Sequence, residues 1–245
     1  MSLGQCCITG FKHDGTPSGK FETLNGVKTY IALPQGDYDK TKALIFLTDI
    51  FGTELPNGQL LVDSFAANGI PVYMPDIIKG DAVSLGDYSS GKFDLMGWLG
   101  KHGKEVTRPE IDKVIEHLKG QGVQKFAAIG YCFGGRYTVD LVVDGAASVG
   151  VVAHPSLLET PKDIEDLNKS SGHFLWLNAG EDGMFNKEKQ NQAREILKGN
   201  DKHKMVDYEG VSHGFAIRGD PKDEHVRKSA DDAFEQSVKF IKAHL

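Results

Sequence analysis

The segment Gly130-Tyr131-Cys132-Phe133-Gly134-Gly135 follows the apolar run 125–129 and leads into a helix-compatible stretch that ends near Val143. A strand that passes into a helix through G-x-C-x-G must turn tightly, and glycine stands two residues to either side because a side chain there would strike the turn. The central residue then sits at a helix N-terminus. Backbone N–H dipoles favour a thiolate at that point, and the next N–H, that of Phe133, can donate to a developing oxyanion. Cys132 is therefore the candidate nucleophile, set against the plainer reading of a buried structural cysteine in a Gly-rich turn.

The rest of the chain alternates short apolar runs with amphipathic stretches, a pattern that predicts a mostly parallel sheet. Strands are expected over 29–33, 43–48, 71–74, 125–129, 149–154, 174–178 and 204–208, several apolar on both faces. Helices are expected over about 59–68, 187–197 and from Glu224 onward, the last with Val226, Ala230, Ala233, Phe234, Val238, Ile241 and Leu245 on one stripe. Thr107-Arg108-Pro109-Glu110 has the spacing of a capping box, and Ile111, Val114, Ile115 and Leu118 follow on one helical face. Residues before Gly26 read as a polar leader, and 79–104 as an irregular excursion carrying Tyr88, Phe93, Met96 and Trp98. The expected fold class is α/β: one domain over 1–245, a three-layer α/β/α sandwich on a mostly parallel sheet of about seven or eight strands.

Composition narrows the function. The 245 residues are 40% hydrophobic and 25% charged, as in globular domains. No apolar run approaches the ~20 residues of a membrane-spanning helix, so no membrane partner is expected. The net charge of -6, with no basic cluster, argues against nucleic acid. Cys6, Cys7 and Cys132 are too few for a disulfide framework, and the N-terminal residues lack a secretory pattern, which leaves a reducing cytoplasm as the expected location. Histidines and cysteines show no zinc-ligand spacing, and Gly86–Phe93 imitates a phosphate loop but has Phe93 where Ser or Thr must stand. No metal and no cofactor are expected. Oligomeric state is left at monomer or homodimer.

A cysteine nucleophile needs a base, and the base needs an orienting carboxylate; on sheets of this kind the chain order is nucleophile, acid, histidine. The run 174–178 ends in Ala179-Gly180-Glu181-Asp182-Gly183, which puts a carboxylate at the strand tips, with Asp182 preferred to Glu181. The next strand leads to Val211-Ser212-His213-Gly214, making His213 the expected base and His154 its rival. The N–H of Ile50, in the turn Thr48-Asp49-Ile50-Phe51-Gly52 after an early strand, is the second candidate oxyanion donor. Asp49 reads either as a solvated loop charge or as an acid held near the sulfur.

With these residues in hand, the chain resembles the dienelactone hydrolase family, the carboxymethylenebutenolidases of the α/β-hydrolase superfamily, and most closely its fungal members. The cysteine elbow at 130–135 and the separations from Cys132 to Asp182 and from Asp182 to His213 are similar to those of the family's Cys-Asp-His triad. Asp49-Ile50-Phe51-Gly52 resembles the family's acidic-Ile-Phe-Gly segment. The resemblance implies that Asp49, an aspartate in place of glutamate, adjoins the cysteine and that Ile50 donates to the oxyanion. Bacterial members hold a substrate carboxylate with two arginines; Lys79 and Arg218, the latter one position late, stand at those places as the implied substrate-binding residues. The implied activity is hydrolysis of a small activated ester or enol lactone through a thioester acyl-enzyme. The alternatives are a thioesterase or aryl esterase on the same triad, or a non-catalytic or redox-sensing protein.

Overall fold

The computed structural model describes residues 14–245, so Cys6 and Cys7, expected to be structural or incidental, lie outside the described residues. The chain runs β1 (Lys20–Leu24), β2 (Val27–Ala32), β3 (Lys42–Leu47), α1 (Pro56–Ala67), β4 (Val72–Pro75), α2 (Leu85–Ser89), α3 (Leu95–Lys101), α4 (Lys104–Gly120) and β5 (Lys125–Tyr131). It continues through α5 (Phe133–Val143), β6 (Val149–Ala153), α6 (Lys162–Lys169), β7 (His173–Glu181), α7 (Lys187–Leu197), β8 (His203–Ser212), α8 (Phe215–Arg218) and α9 (Glu224–His244). All the strands join one eight-stranded sheet in the order β1-β2-β4-β3-β5-β6-β7-β8. Pairing is antiparallel for β1 with β2 and β2 with β4, and parallel from β4 to β8.

Both faces of the central strands are buried, as alternation of side chains at period two requires. Ala43, Ile45 and Leu47 of β3, Ala128 of β5 and Trp176 of β7 pack on one face with Ile111, Val114 and Leu118 of α4 and Ile164 and Leu167 of α6. Leu44 and Phe46, Ala127 and Ile129, and Leu175 and Leu177 point the other way, onto Leu61 and Phe65 of α1 and Phe234, Val238 and Ile241 of α9. The expected stripe of the last helix is thus the docking face of α9, and Asp223 caps it by accepting from the N–H groups of His225 (2.9 Å) and Val226 (3.1 Å).

Three expectations are corrected. The polar leader contains β1, joined to β2 through Asn25-Gly26, both at positive φ. Most of β1 is exposed, so its sequence carries no apolar alternation to mark it, and only the Asn-Gly pair signals a hairpin. The capping box does not form, since α4 starts at Lys104 after Gly103. The Thr107 hydroxyl instead donates to the His102 carbonyl (3.1 Å), and the buried Glu110 carboxylate takes Lys113 (2.9 Å) and Lys79 (3.3 Å). The excursion holds two short helices, α2 and α3. Its anchor is Trp98, whose indole N–H donates to the Asp81 carbonyl (2.8 Å) and whose ring lies 4.1 Å from that of His102 and 5.3 Å from that of Phe133.

Candidate active site

The strand order reverses at β3, with β4 on one side and β5 on the other, and clefts beyond the C-terminal ends of such a pair are where open α/β sheets bind ligands. The elbow lies there. A Cβ on Gly130 would collide with the Gly134 carbonyl and the Thr138 hydroxyl, one on Gly134 with the Leu47 and Thr48 carbonyls, and one on Gly135 with Pro155 at 2.8 Å. The glycines thus let the start of α5 press directly on the end of β3, which brings the turn carrying Asp49 and Ile50 to Cys132.

Cys132 holds φ 49° and ψ −111°, a conformation that costs a non-glycine residue about 1–3 kcal/mol. It is retained by three backbone bonds: its N–H donates to the Ala153 carbonyl (3.2 Å), and its carbonyl accepts from Gly135 (3.0 Å) and Ser156 (2.9 Å). Cys132 is 9% exposed, with the Ser156 hydroxyl 3.8 Å from the sulfur. Phe133 is the first residue of α5, so its N–H has no acceptor within the helix.

Asp182 and His213 come together because β7 and β8 end in register. Glu181 pairs with Ser212, and the next residue of each strand is the acid and the histidine. The His213 Nδ1 lies 2.9 Å from the Asp182 Oδ2, while Oδ1 accepts from the Met184 (2.7 Å) and Phe185 (3.1 Å) N–H groups. Glu181, the alternative acid, takes the Ser212 hydroxyl at 3.3 Å. Burial opposes ionisation of Asp182, but the His213 hydrogen bond and charge and the two N–H donors hold its carboxyl below the usual range. Burial also works against a charged His213. The Asp182 hydrogen bond and the Cys132 sulfur outweigh it and raise the imidazole to about 9. Its Nε2 is buried without a hydrogen-bond partner among the described residues.

Asp49 and Lys79 each have protein partners. Asp49 is 1% exposed; its Oδ2 accepts from the Arg218 Nε (2.6 Å) and its Oδ1 from the Phe51 N–H (3.0 Å), so both oxygens are engaged by groups other than Cys132. Burial pushes its carboxyl up against the pull of Arg218, whose guanidinium also lies 4.7 Å from the centre of the Phe51 ring. Lys79 is held by Glu110 of α4. Ile50 accepts from Val83 through its carbonyl (3.0 Å) and shares a core with Cys132 and Phe133. Sequence reasoning missed the loop after β6. His154, weighed only as a rival base, lies with its ring 4.9 Å from that of His213, and Ser156 flanks the sulfur. A strand ending in His-Pro was the available signal.

The model of the dienelactone hydrolase family matches residues 27–245. The hydrolase pyvD of Aspergillus violaceofuscus is 33% identical over 243 residues, covering 98% of this chain and 96% of its own. The hydrolase tropI of Talaromyces stipitatus is 34% identical over 250 residues, with 98% and 96% covered. Among solved structures, a dienelactone hydrolase-like promiscuous phosphotriesterase from metagenomic libraries superposes with a TM-score of 0.72 at 17% identity, over 94% of this chain and 99% of that one, which shows the common fold. The chain belongs to the dienelactone hydrolase family and is a hydrolase of ester or lactone bonds.

Proposed function

We propose that this hydrolase uses Cys132 as nucleophile, His213 as base, Asp182 as the group that orients His213, and the N–H groups of Ile50 and Phe133 as oxyanion donors. The observation that carries the reading is the Asp182–His213 pair at 2.9 Å, set on the strand tips beside a cysteine on a strained strand-to-helix turn. In the neutral range His213, raised to about 9, already carries the Cys132 proton on Nε2, so the sulfur bonds to the substrate carbonyl carbon as thiolate and the carbonyl electron pair moves to oxygen. Collapse breaks the bond to the leaving oxygen, which takes that proton. Water then gives a proton to His213 and attacks the thioester, and the sulfur leaves.

Sulfur selects the substrate. A tetrahedral intermediate expels its less basic arm, and a thiol, with an ordinary pKa of about 8.5, leaves more readily than an alkoxide. Simple alkyl esters revert to substrate, whereas enol lactones, aryl esters and thioesters go forward. The natural substrate is thus a small activated ester or enol lactone of the dienelactone type, cleaved in a reducing cytoplasm that keeps Cys132 free. A second reading, an aryl ester or thioester without a carboxylate, is favoured by one feature: Arg218 is paired with Asp49 and Lys79 with Glu110. Hydrolysis of dienelactone and of its methyl ester by the wild type and by Cys132→Ala tests both. Loss of all turnover with the sulfur is expected, and a Cys132→Ala variant that still hydrolyses either compound at more than a tenth of the wild-type rate removes Cys132 as nucleophile. Preference for the free acid selects the first reading, and for the methyl ester the second.

A further inference from the structure

His154 follows β6 directly and is fully buried, on a left-handed backbone with φ 39°. Its ring stands edge-to-face on His213 at 4.9 Å and 62°, and is wedged in turn by Phe215 (5.6 Å) and Tyr131 (6.0 Å). We propose that His154 is a positioning residue for the base, its ring acting as a fixed wall that sets the plane in which the His213 imidazole presents Nε2 to Cys132. The inference rests on the reading of His213 as base.

A single hydrogen bond fixes a point of a ring and not its plane. The His213 imidazole has one hydrogen bond among the described residues, at Nδ1, and its side chain is 20% exposed. Without a second contact the imidazole can swivel about its bond to Asp182. His154 supplies that contact from a ring which cannot itself move.

The residue is expensive for a mere filler. Both ring nitrogens are buried with no hydrogen-bond partner among the described residues, and each such group costs about 1–3 kcal/mol relative to an apolar neighbour. The positive φ adds strain. Packing alone calls for an apolar residue, but histidine is the flat-ringed residue that best tolerates a left-handed backbone. Breaches of local rules that sit against the reacting groups point to function. Burial, and then the charges of His213 and Arg218, keep the His154 imidazole neutral, so it neither competes for the proton nor repels a charged His213.

The test compares His154→Ala, His154→Leu and His154→Phe with the wild type and His213→Ala. The readouts are 4-nitrophenyl acetate hydrolysis and the pH dependence of iodoacetamide alkylation at Cys132, followed on the Cys132 peptide by mass spectrometry. Leu and Ala are expected to lower kcat about 10- to 100-fold with KM within about threefold, because geometry and not binding is lost. Their alkylation curves should move toward that of His213→Ala, while Phe, which bears the same left-handed backbone as Leu but restores a neutral ring, stays well above Leu in both readouts. Leu matching the wild type, or Phe as poor as Leu, overturns the proposal. If Ala does not fold, Leu against Phe decides, since both fill the site with apolar volume. An unimpaired His213→Ala sinks the base itself, whereas an impaired His213→Ala with an unimpaired Leu variant sinks only the role of His154.

Discussion

At the scale of residues, the Asp182–His213 pair makes the sharpest claims. Asp182→Asn keeps the size of the side chain but not a carboxylate to hold the imidazole, and kcat is expected to fall about 10²- to 10⁴-fold in steady-state assays. The pair also acts on stability. His213 is raised to about 9 in the folded chain, above its ordinary value of about 6.5, so its protonated form stabilises the fold fully below the lower value and this contribution disappears as pH rises through the higher. Thermal melts of the wild type should therefore lose stability between about pH 6.5 and pH 9.5, and Asp182→Asn should lose much less. A wild-type curve as flat as the variant's contradicts the assignment. The chain positions of Cys132, Asp182 and His213 were legible because chain order and turn chemistry are written locally. The partner of Asp49 was not, because Arg218 is 169 residues away and no local pattern couples them.

At the scale of elements, the elbow is the least tolerant part of the fold. Gly134→Ala places a methyl group on the backbone carbonyls of Leu47 and Thr48, which cannot rotate away, and should cost at least about 3 kcal/mol by urea unfolding. Gly100→Ala, in α3 with nothing within 4 Å of the new Cβ, should be neutral or stabilising by up to about 1 kcal/mol. Equal losses for the two would mean that the tight approach of α5 to β3 is not what the glycines serve. Elements with a clean stripe or a plain cap were readable, as with α7 over 187–197 and the start of α9 at Glu224. Those without were not. Strand β1 is mostly exposed, α6 has only Ile164 and Leu167 as apolar contacts, and the Thr107–Glu110 spacing belongs to the interior of a helix whose side chains bond to other partners.

At the scale of the molecule, the end of the sheet away from the elbow gathers His173, His203 and His244. The His173 and His244 rings stack at 4.0 Å, joining the start of β7 to the end of α9. His203, at the start of β8, is lowered to about 4 by burial and then by Lys202 and His173. A histidine depressed in the folded state takes up its proton more readily when unfolded, so stability is full above about pH 6.5 and drains away as pH falls toward that lower value. His203→Gln should flatten the acid side of a plot of Tm against pH; an unchanged slope would falsify this account. The sequence by itself determined the alternation of strands and helices, the elbow, and the order in which Cys132, Asp182 and His213 occur, since each depends on residues within one turn or one strand. Only the tertiary structure decided that Arg218 closes on Asp49, that Lys79 turns to Glu110 and that His154 backs His213. Those pairings are set by strand order and register, which bring together side chains that are remote in the chain and leave each buried charge or ring only the neighbours the packed sheet supplies.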